Sequence, residues 1–294
     1  MPTTKGLRMA ALGSSFAAGP SIDPVENAAA GRSSSNYAHL LVQKLNNAGA
    51  GAELTDLTVS GATLLDVVSE KQHAGGAVFE PQVQGLRGDE DIVTLTCGGN
   101  DIRYVGGLID ASMISCVGSK HPMTINIRNY PKPPTMTQKE LTARLVEALE
   151  AIHRRAPKAK IYLVQYLSII GHDTRPLYDI ALTAESMKHF DGVAGLLAQA
   201  YVDAAESFNR DIRSTAEVVP IASTSKAHGR GSQDPWVRRV SMEMLAHGPA
   251  PFHPNAAGHE AAAEMLYRQI RDARVGVLFG VYLTMDVYTG QCTL

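Results

Sequence analysis

The sequence predicts an α/β fold in which a central parallel sheet is covered by helices on both faces. Three observations carry this. Short β-like runs alternate along the chain with segments whose apolar residues recur at helical spacing. Most of the β-like runs end at a glycine. The composition, 45% apolar and 19% charged over 294 residues, belongs to a globular chain long enough for a large core.

The elements follow in order. Leu7 to Leu12 is a short apolar run ended by Gly13. Tyr37 to Asn46 reads as a helix with Leu40, Leu41 and Leu45 on its apolar side. Leu54 to Val59 is a second strand, stopping at Ser60-Gly61, and Asp91 to Cys97 is a third, stopping at Gly98-Gly99. Thr137 to Glu140 reads as a capping box opening a helix with Leu141, Leu145, Ala148, Leu149 and Ile152 as its stripe. Ile161 to Ile170 is the longest β-like run. Leu197, Tyr201, Ala204, Phe208 and Ile212 repeat at helical spacing. Glu217 to Ala222 is a weaker strand, placed at an edge by Pro220. Asn255 to Arg271 closes the series, with Ala262, Leu266 and Ile270 on one face. Residues 275–294 carry a mixed apolar pattern with room for a strand, which the sequence does not place.

A single domain over residues 1–294 accounts for this pattern. Val105 to Pro134 and Gly171 to Asp191 lack clear periodicity and read as loop insertions over one end of the sheet. Lys plus Arg total 27 and Asp plus Glu 29, a net charge of −2, which excludes a nucleic-acid binder held by bulk charge. No apolar run approaches the ~18 residues of a membrane span. Cys97, Cys116 and Cys292 make neither a disulfide framework nor a zinc spacing. The run Met9 to Leu12 after Lys5 and Arg8 is too short for a secretory signal, so a cytoplasmic setting is expected. A chain that had lost its leader would read the same way.

Ligands of a parallel sheet bind outside the carboxyl ends of its strands. The residues just after the first three strands are Gly13-Ser14-Ser15, Ser60-Gly61-Ala62 and Gly98-Gly99-Asn100-Asp101. Before the last helix stands Phe252-His253-Pro254-Asn255. This set has a chemical logic. A serine hydroxyl needs an adjacent base, and a histidine supplies one near neutral pH. Attack on an ester carbonyl builds a negative oxygen, which the backbone N–H groups of Ser15 and Gly61 and the amide of Asn100 would receive.

In these blocks, ALGSSFAAG, VSGAT, TCGGND and FHPNAAGH in that order, the chain resembles the SGNH hydrolases, also called the GDSL esterase/lipase family. The resemblance spans nearly the whole chain. It implies a flavodoxin-like three-layer α/β/α sandwich and hydrolysis of a carboxylic ester through an acyl-serine. It also implies Ser15 as nucleophile, His253 as base, and an oxyanion hole from Ser15, Gly61 and Asn100. No metal and no organic cofactor is implied, and the expected partner is a small-molecule or lipid ester.

The chain departs from the family pattern twice. Ser14 replaces the aspartate of Gly-Asp-Ser, which is not a triad member. Ala250 stands where the triad aspartate belongs, three residues before His253. Losing that carboxylate in a serine protease costs ~10⁴ in kcat, mainly through the wrong tautomer. The backbone carbonyl of Ala250 is the favoured substitute, giving a Ser–His dyad. A distant acid such as Asp234 or Glu243, or a crippled site, are the other outcomes.

Each residue has a plainer reading. Ser15 and Asn100 suit helix caps, and Gly61 and Gly98 suit turns. Asp101 reads as a structural cap and His259 as a packed histidine. His247, His253 and His259, six apart, match no common zinc spacing. The sequence has neither a G-x-S-x-G elbow around Ser15 nor a G-x-G-x-x-G after the first strand. Trp236 is read equally as lining or packing. Three rivals to a simple esterase remain: an acyltransferase using the same acyl-enzyme, a binding protein on a degenerate hydrolase fold, and a lipase or phospholipase proper. Short acyl chains are expected, because no long apolar segment flanks the site.

Overall fold

Strand β1 (Arg8–Gly13) is the seed of the molecule: Met9 to Leu12 are all buried, and the strand pairs on both edges. The structure, a computed structural model, describes residues 6–118, 134–211, 216–239 and 250–279 and two short strands beyond them. After β1 comes the one-turn helix α1 (Ser15–Ala18). A small antiparallel pair, β2 (Val25–Asn27) and β3 (Arg32–Ser33), leads into α2 (Tyr37–Asn47). Strand β4 (Glu53–Asp56) is followed by α3 (Leu64–Val68) and the hairpin β5 (Gln72–Ala74) and β6 (Ala77–Phe79). Then come β7 (Ile92–Thr96), α4 (Tyr104–Val117), α5 (Gln138–Arg155) and β8 (Lys160–Val164). The long α6 (Ala184–Asp211), β9 (Ala216–Val219), α7 (Ile221–Thr224) and α8 (Ala256–Phe279) complete the main body.

The five central strands are all parallel, in the order β4-β1-β7-β8-β9. By rank along the chain that order is 2-1-3-4-5, the flavodoxin-like winding. The chain leaves β1 in one direction, to β4, and returns on its other side, to β7. The crevice at that reversal lies between the ends of β1 and β7, where Ser15 and Asn100 follow. Helices α2 and α8 pack together, and α5 packs on α6, forming the outer layers of the sandwich. The Thr137 capping box forms as the sequence predicts: Glu140 Oε2 accepts the Thr137 N–H at 2.7 Å and Thr137 Oγ1 accepts the Glu140 N–H at 3.3 Å.

Four segments differ from the sequence reading. The run Ile161 to Ile170 leaves the sheet after Val164. Its neighbour β9 ends at Val219 and is followed by Pro220, which has no N–H to continue the ladder. The segment read as an insertion from Val105 opens instead with helix α4, apolar on nearly every side, with Tyr104, Val105, Leu108 and Ala111 buried. Residues 119–133 of that insertion lie outside the described residues. In the second insertion, 171–183 is irregular and helix α6 has begun by Ala184. At the C-terminus α8 continues to Phe279, and β10 (Thr284–Met285) pairs antiparallel with β11 (Cys292–Thr293) away from the main sheet. Among the described residues no helix is long and apolar enough to cross a membrane.

Candidate active site

Ser15 is the first residue of α1, directly after β1. Ser14 N–H bonds the Thr96 carbonyl at 2.9 Å, which fixes the turn against β7. Ser14's own carbonyl accepts the N–H groups of Ala17 and Ala18, both at 2.9 Å. As the first helical residue, Ser15 has no intrahelical acceptor for its N–H. Its Oγ lies 2.8 Å from Nε2 of His253 across 238 residues of sequence. The predicted nucleophile and base therefore meet at proton-transfer distance.

His253 sits in a short loop before α8. Its carbonyl accepts the Arg238 N–H at 2.9 Å, and Val237 bridges to Pro254, so the loop is pinned like a strand edge. Phe252 is fully buried with a left-handed φ of +61°. That conformation turns the chain so sharply that the Pro251 carbonyl, not that of Ala250, meets the imidazole: Nδ1 is 2.8 Å from Pro251 O. The Ala250 carbonyl expected from the sequence acts on the ring more weakly, behind Pro251 in its effect. A carbonyl only accepts, so Nδ1 carries the proton and Nε2 is free to accept from Ser15. Among the described residues no hydrogen bond or ion pair joins His253 to a carboxylate. Asp234 is engaged elsewhere, accepting the Trp236 indole N–H at 3.3 Å, and Glu243 lies outside the described residues. Trp236 itself stacks on His228 with ring centroids 3.7 Å apart.

The two other predicted anion donors sit on loops that are stitched together. Gly61 occupies a turn closed by Ala62 N–H on the Val59 carbonyl at 3.2 Å. Asn100 donates one amide hydrogen to the Ala62 carbonyl at 2.8 Å, which leaves the second for a ligand. Asp101 is structural as read: its carboxylate accepts the Leu64 N–H at the start of α3 and faces Arg144.

Tyr166 is a residue the sequence reading missed, because it lay inside the run taken for a strand. Its hydroxyl is 2.8 Å from Ser14 Oγ and accepts the Gly99 N–H at 3.1 Å, joining the nucleophile turn to the asparagine turn. A Cβ on Gly99 would come within 2.7 Å of the Tyr166 ring, so only glycine admits the phenol here. Ser14 thus fills the family's aspartate position by partnering a tyrosine. Burial pushes the Tyr166 phenol up, so it stays protonated and can donate to Ser14.

The motif FHPNAAGH now has a local explanation beyond His253. Asn255 Oδ1 accepts the Gly258 N–H at 2.9 Å and its Nδ2 donates to the Pro235 carbonyl at 2.6 Å. A side chain at Gly258 would strike the Trp236 carbonyl, 2.4 Å from its Cβ position. His259 is packed, as read: it is 1% exposed and its Nδ1 accepts the Tyr37 N–H at 3.0 Å.

Burial pushes the His253 imidazole down to about 4; the Pro251 carbonyl opposes this, and the Arg238 guanidinium adds to it. The same causes, burial first and then Arg238, take His259 to about 3. Arg238 is held by the carbonyls of Pro20 and Ser21, each at 2.7 Å, and among the described residues no ion pair joins it to a carboxylate. The site is therefore poised with a neutral histidine and a nearby cation, the reverse of a triad's buried anion.

Among the described residues one cluster has the makings of a metal site, Glu26, His39 and Asp56. Arg32 already occupies it, with Nε 3.4 Å from Glu26 and Nη1 3.5 Å from Asp56. His247 of the six-apart histidines lies outside the described residues, while His253 and His259 have the separate partners given above.

The sequence pattern of the GDSL-like Lipase/Acylhydrolase family matches residues 11–261. The chain is similar to Lipase 2 of Streptomyces coelicolor, 27% identical over 266 residues, 89% of this chain and 85% of that protein. Its fold is that of the extracellular lipase of Streptomyces rimosus (TM-score 0.61, 18% identity, 90% of this chain and 99% of that one). It is also that of phospholipase A1 of Streptomyces albidoflavus NA297 (TM-score 0.64, 18% identity, 90% and 99%). The chain belongs to the GDSL-like lipase/acylhydrolase family and is a serine ester hydrolase.

Proposed function

We propose that this chain hydrolyses small-molecule or lipid esters with short acyl groups through an acyl-Ser15 intermediate, with a Ser15–His253 dyad in place of a triad. The observation that carries it is the 2.8 Å contact between Ser15 Oγ and His253 Nε2. As Oγ bonds to the ester carbonyl carbon, its proton passes to Nε2. The carbonyl oxygen becomes an anion, received by the N–H groups of Ser15 and Gly61 and the Asn100 amide. The C–O bond to the alcohol then breaks, and Nε2 returns the proton to the leaving oxygen. Water repeats the sequence: His253 takes its proton, its oxygen attacks the acyl carbon, and Ser15 leaves with the proton restored. The Pro251 carbonyl holds Nδ1–H throughout, fixing tautomer and orientation, but stabilises imidazolium less than a carboxylate would.

We assign the acyl group to a cavity of about 270 Å³ at the carboxyl ends of β8 and β9, lined by Tyr104, Tyr166, Leu197 and Tyr201 together with the charged Asp191 and Lys226; none of Ser15, Gly61, Asn100 and His253 lines it. Tyr166 is shared with the reaction centre through Ser14. The volume is near the small end of ligand cavities, roughly 300–1,000 Å³, which supports short acyl chains. A single domain carrying the two insertions is part of this reading, as is a reducing, cytoplasmic setting, which suits the free thiols of Cys97 and exposed Cys116.

The test is to trap the intermediate. Mixing the protein with a p-nitrophenyl ester and quenching early should show the acyl mass on the peptide bearing Ser15. Ester turnover with no acyl adduct on that peptide in any quench would contradict the mechanism. Product analysis with an added alcohol acceptor separates hydrolysis from acyl transfer.

A further inference from the structure

The reading above, on which this inference rests, asks the Gly61 N–H to face the substrate oxygen. Gly61 N–H belongs to the same peptide unit as the Ser60 carbonyl. A trans peptide is planar and its C=O and N–H point in opposite directions, so whatever holds one aims the other. Gln72, the first residue of β5, donates its side-chain Nε2–H to the Ser60 carbonyl at 2.9 Å.

The turn around this peptide has few other restraints at its centre. Val59 N–H bonds the Gly13 carbonyl at 3.1 Å and Ser60 N–H bonds the Ala30 carbonyl at 2.7 Å, holding the entry. Asn100 holds the exit through the Ala62 carbonyl. The Ser60–Gly61 peptide is the middle unit of this four-residue turn, and Gly61 has φ +86°, the value the third position of a type II turn requires. Type II and type I turns differ by reversal of that middle peptide, and glycine tolerates either. A reversal would carry the Gly61 N–H away from its present side and put the Ser60 carbonyl oxygen there instead.

We propose that Gln72 is a positioning residue for the oxyanion hole: its amide holds the Ser60–Gly61 peptide in the one orientation that presents the Gly61 N–H to the substrate. The bond also polarises the peptide, which makes the N–H a stronger donor. The amide orientation follows from its partner, since an oxygen in place of Nε2 would face the Ser60 oxygen. Gln72 approaches from a hairpin outside the main sheet, so its contribution is separable from the folding of the sheet.

The test uses Gln72→Leu and Gln72→Glu in the full chain, with p-nitrophenyl butyrate as substrate and an aryl trifluoromethyl ketone as analogue of the tetrahedral adduct. Losing a whole oxyanion donor costs roughly 10²–10³ in kcat, so a loosened one should cost about 10- to 100-fold. Q72L is expected to lose that factor in kcat with KM nearly unchanged, and to bind the ketone more weakly by a similar factor. In Q72E an ionised carboxylate repels the Ser60 carbonyl, while a protonated one donates to it. Its rate relative to wild type should therefore rise as pH falls, a signature that a merely anchoring side chain would not give. Wild-type kcat and ketone affinity in Q72L would overturn the proposal. Should Q72L fail to fold, a flat pH dependence of the Q72E to wild-type ratio overturns it. Acylation of Ser15 in wild type is measured alongside: its absence removes the dyad reading itself, whereas its presence with an indifferent Gln72 removes this inference alone.

Discussion

His253 Nδ1 lies 2.8 Å from the Pro251 carbonyl oxygen, two residues back along its own loop, and that contact stands where a family triad has a carboxylate. A carbonyl fixes the tautomer without adding negative charge. The His253 imidazole therefore remains neutral to unusually low pH, because burial and Arg238 both disfavour its cation. The acid limb of kcat/KM, which reports the free enzyme, should have its midpoint near pH 4 rather than near 6.5. A midpoint at 6 or above, measured with a soluble p-nitrophenyl ester, would contradict this environment for His253.

Removing the cation should move that limb. In Arg238→Gln the imidazolium loses a like-charged neighbour, so the His253 value rises and the acid limb shifts to higher pH. The variant also loses charge-assisted bonds to the Pro20 and Ser21 carbonyls, so some loss of kcat accompanies it. An acid limb unmoved in R238Q, with the fold intact by circular dichroism, would show that Arg238 does not act on the base.

Tyr166→Phe deletes one hydroxyl that serves two loops. Ser14 Oγ loses its partner and the Gly99 N–H is left buried without an acceptor. Such a loss costs about 1–3 kcal/mol of stability. Because the loops carry Ser15 and Asn100, kcat should fall more than KM changes. Urea unfolding with the same m-value but wild-type midpoint would contradict the structural part of this account.

His259 gives the protein a pH-dependent stability of definite sign. Its folded value, about 3, lies below the ordinary 6.5, so the unfolded chain binds the proton more tightly. The stabilisation is complete above pH 6.5 and drains away as pH falls toward 3, by at most about 1.4 kcal/mol per pH unit. His253 adds the same limiting slope over a narrower window, from 6.5 down to about 4, and so a smaller total. The melting temperature should drop between pH 7 and pH 4.5, and less steeply in His259→Gln. An unchanged slope in that variant would assign the acid lability to other groups.

Chain-length preference tests the cavity reading. With p-nitrophenyl esters from two to sixteen carbons, turnover should favour the short members, and Leu197→Ala should extend the accepted range by enlarging the cavity. Fastest turnover on the sixteen-carbon ester would contradict the assignment of that cavity.

The sheet was legible because strands buried between two helix layers must be apolar, and runs such as Arg8–Gly13 announce themselves. The meeting of Ser15 and His253 was legible through the strand-end positions of the two residues in a parallel sheet and through the order of the family blocks, since nothing local to either residue points to the other. Helix α4 was hidden because Gly106, Gly107 and apolar residues all round leave no amphipathic signal. The Pro251 carbonyl was hidden more deeply. Its role depends on the left-handed conformation of Phe252, a buried aromatic residue whose type gives no hint of it. Tyr166 and Gln72 act through the backbone of other loops, so their roles exist only once β1, β4 and β7 lie side by side.

The most direct test is active-site labelling with a fluorophosphonate at pH 8, read by intact mass and by peptide mapping. The account predicts stoichiometric phosphonylation of wild type on Ser15. It predicts none in Ser15→Ala and a labelling rate lowered by several orders of magnitude in His253→Ala. Wild type left unlabelled, or labelled equally well after loss of the histidine, would contradict the dyad.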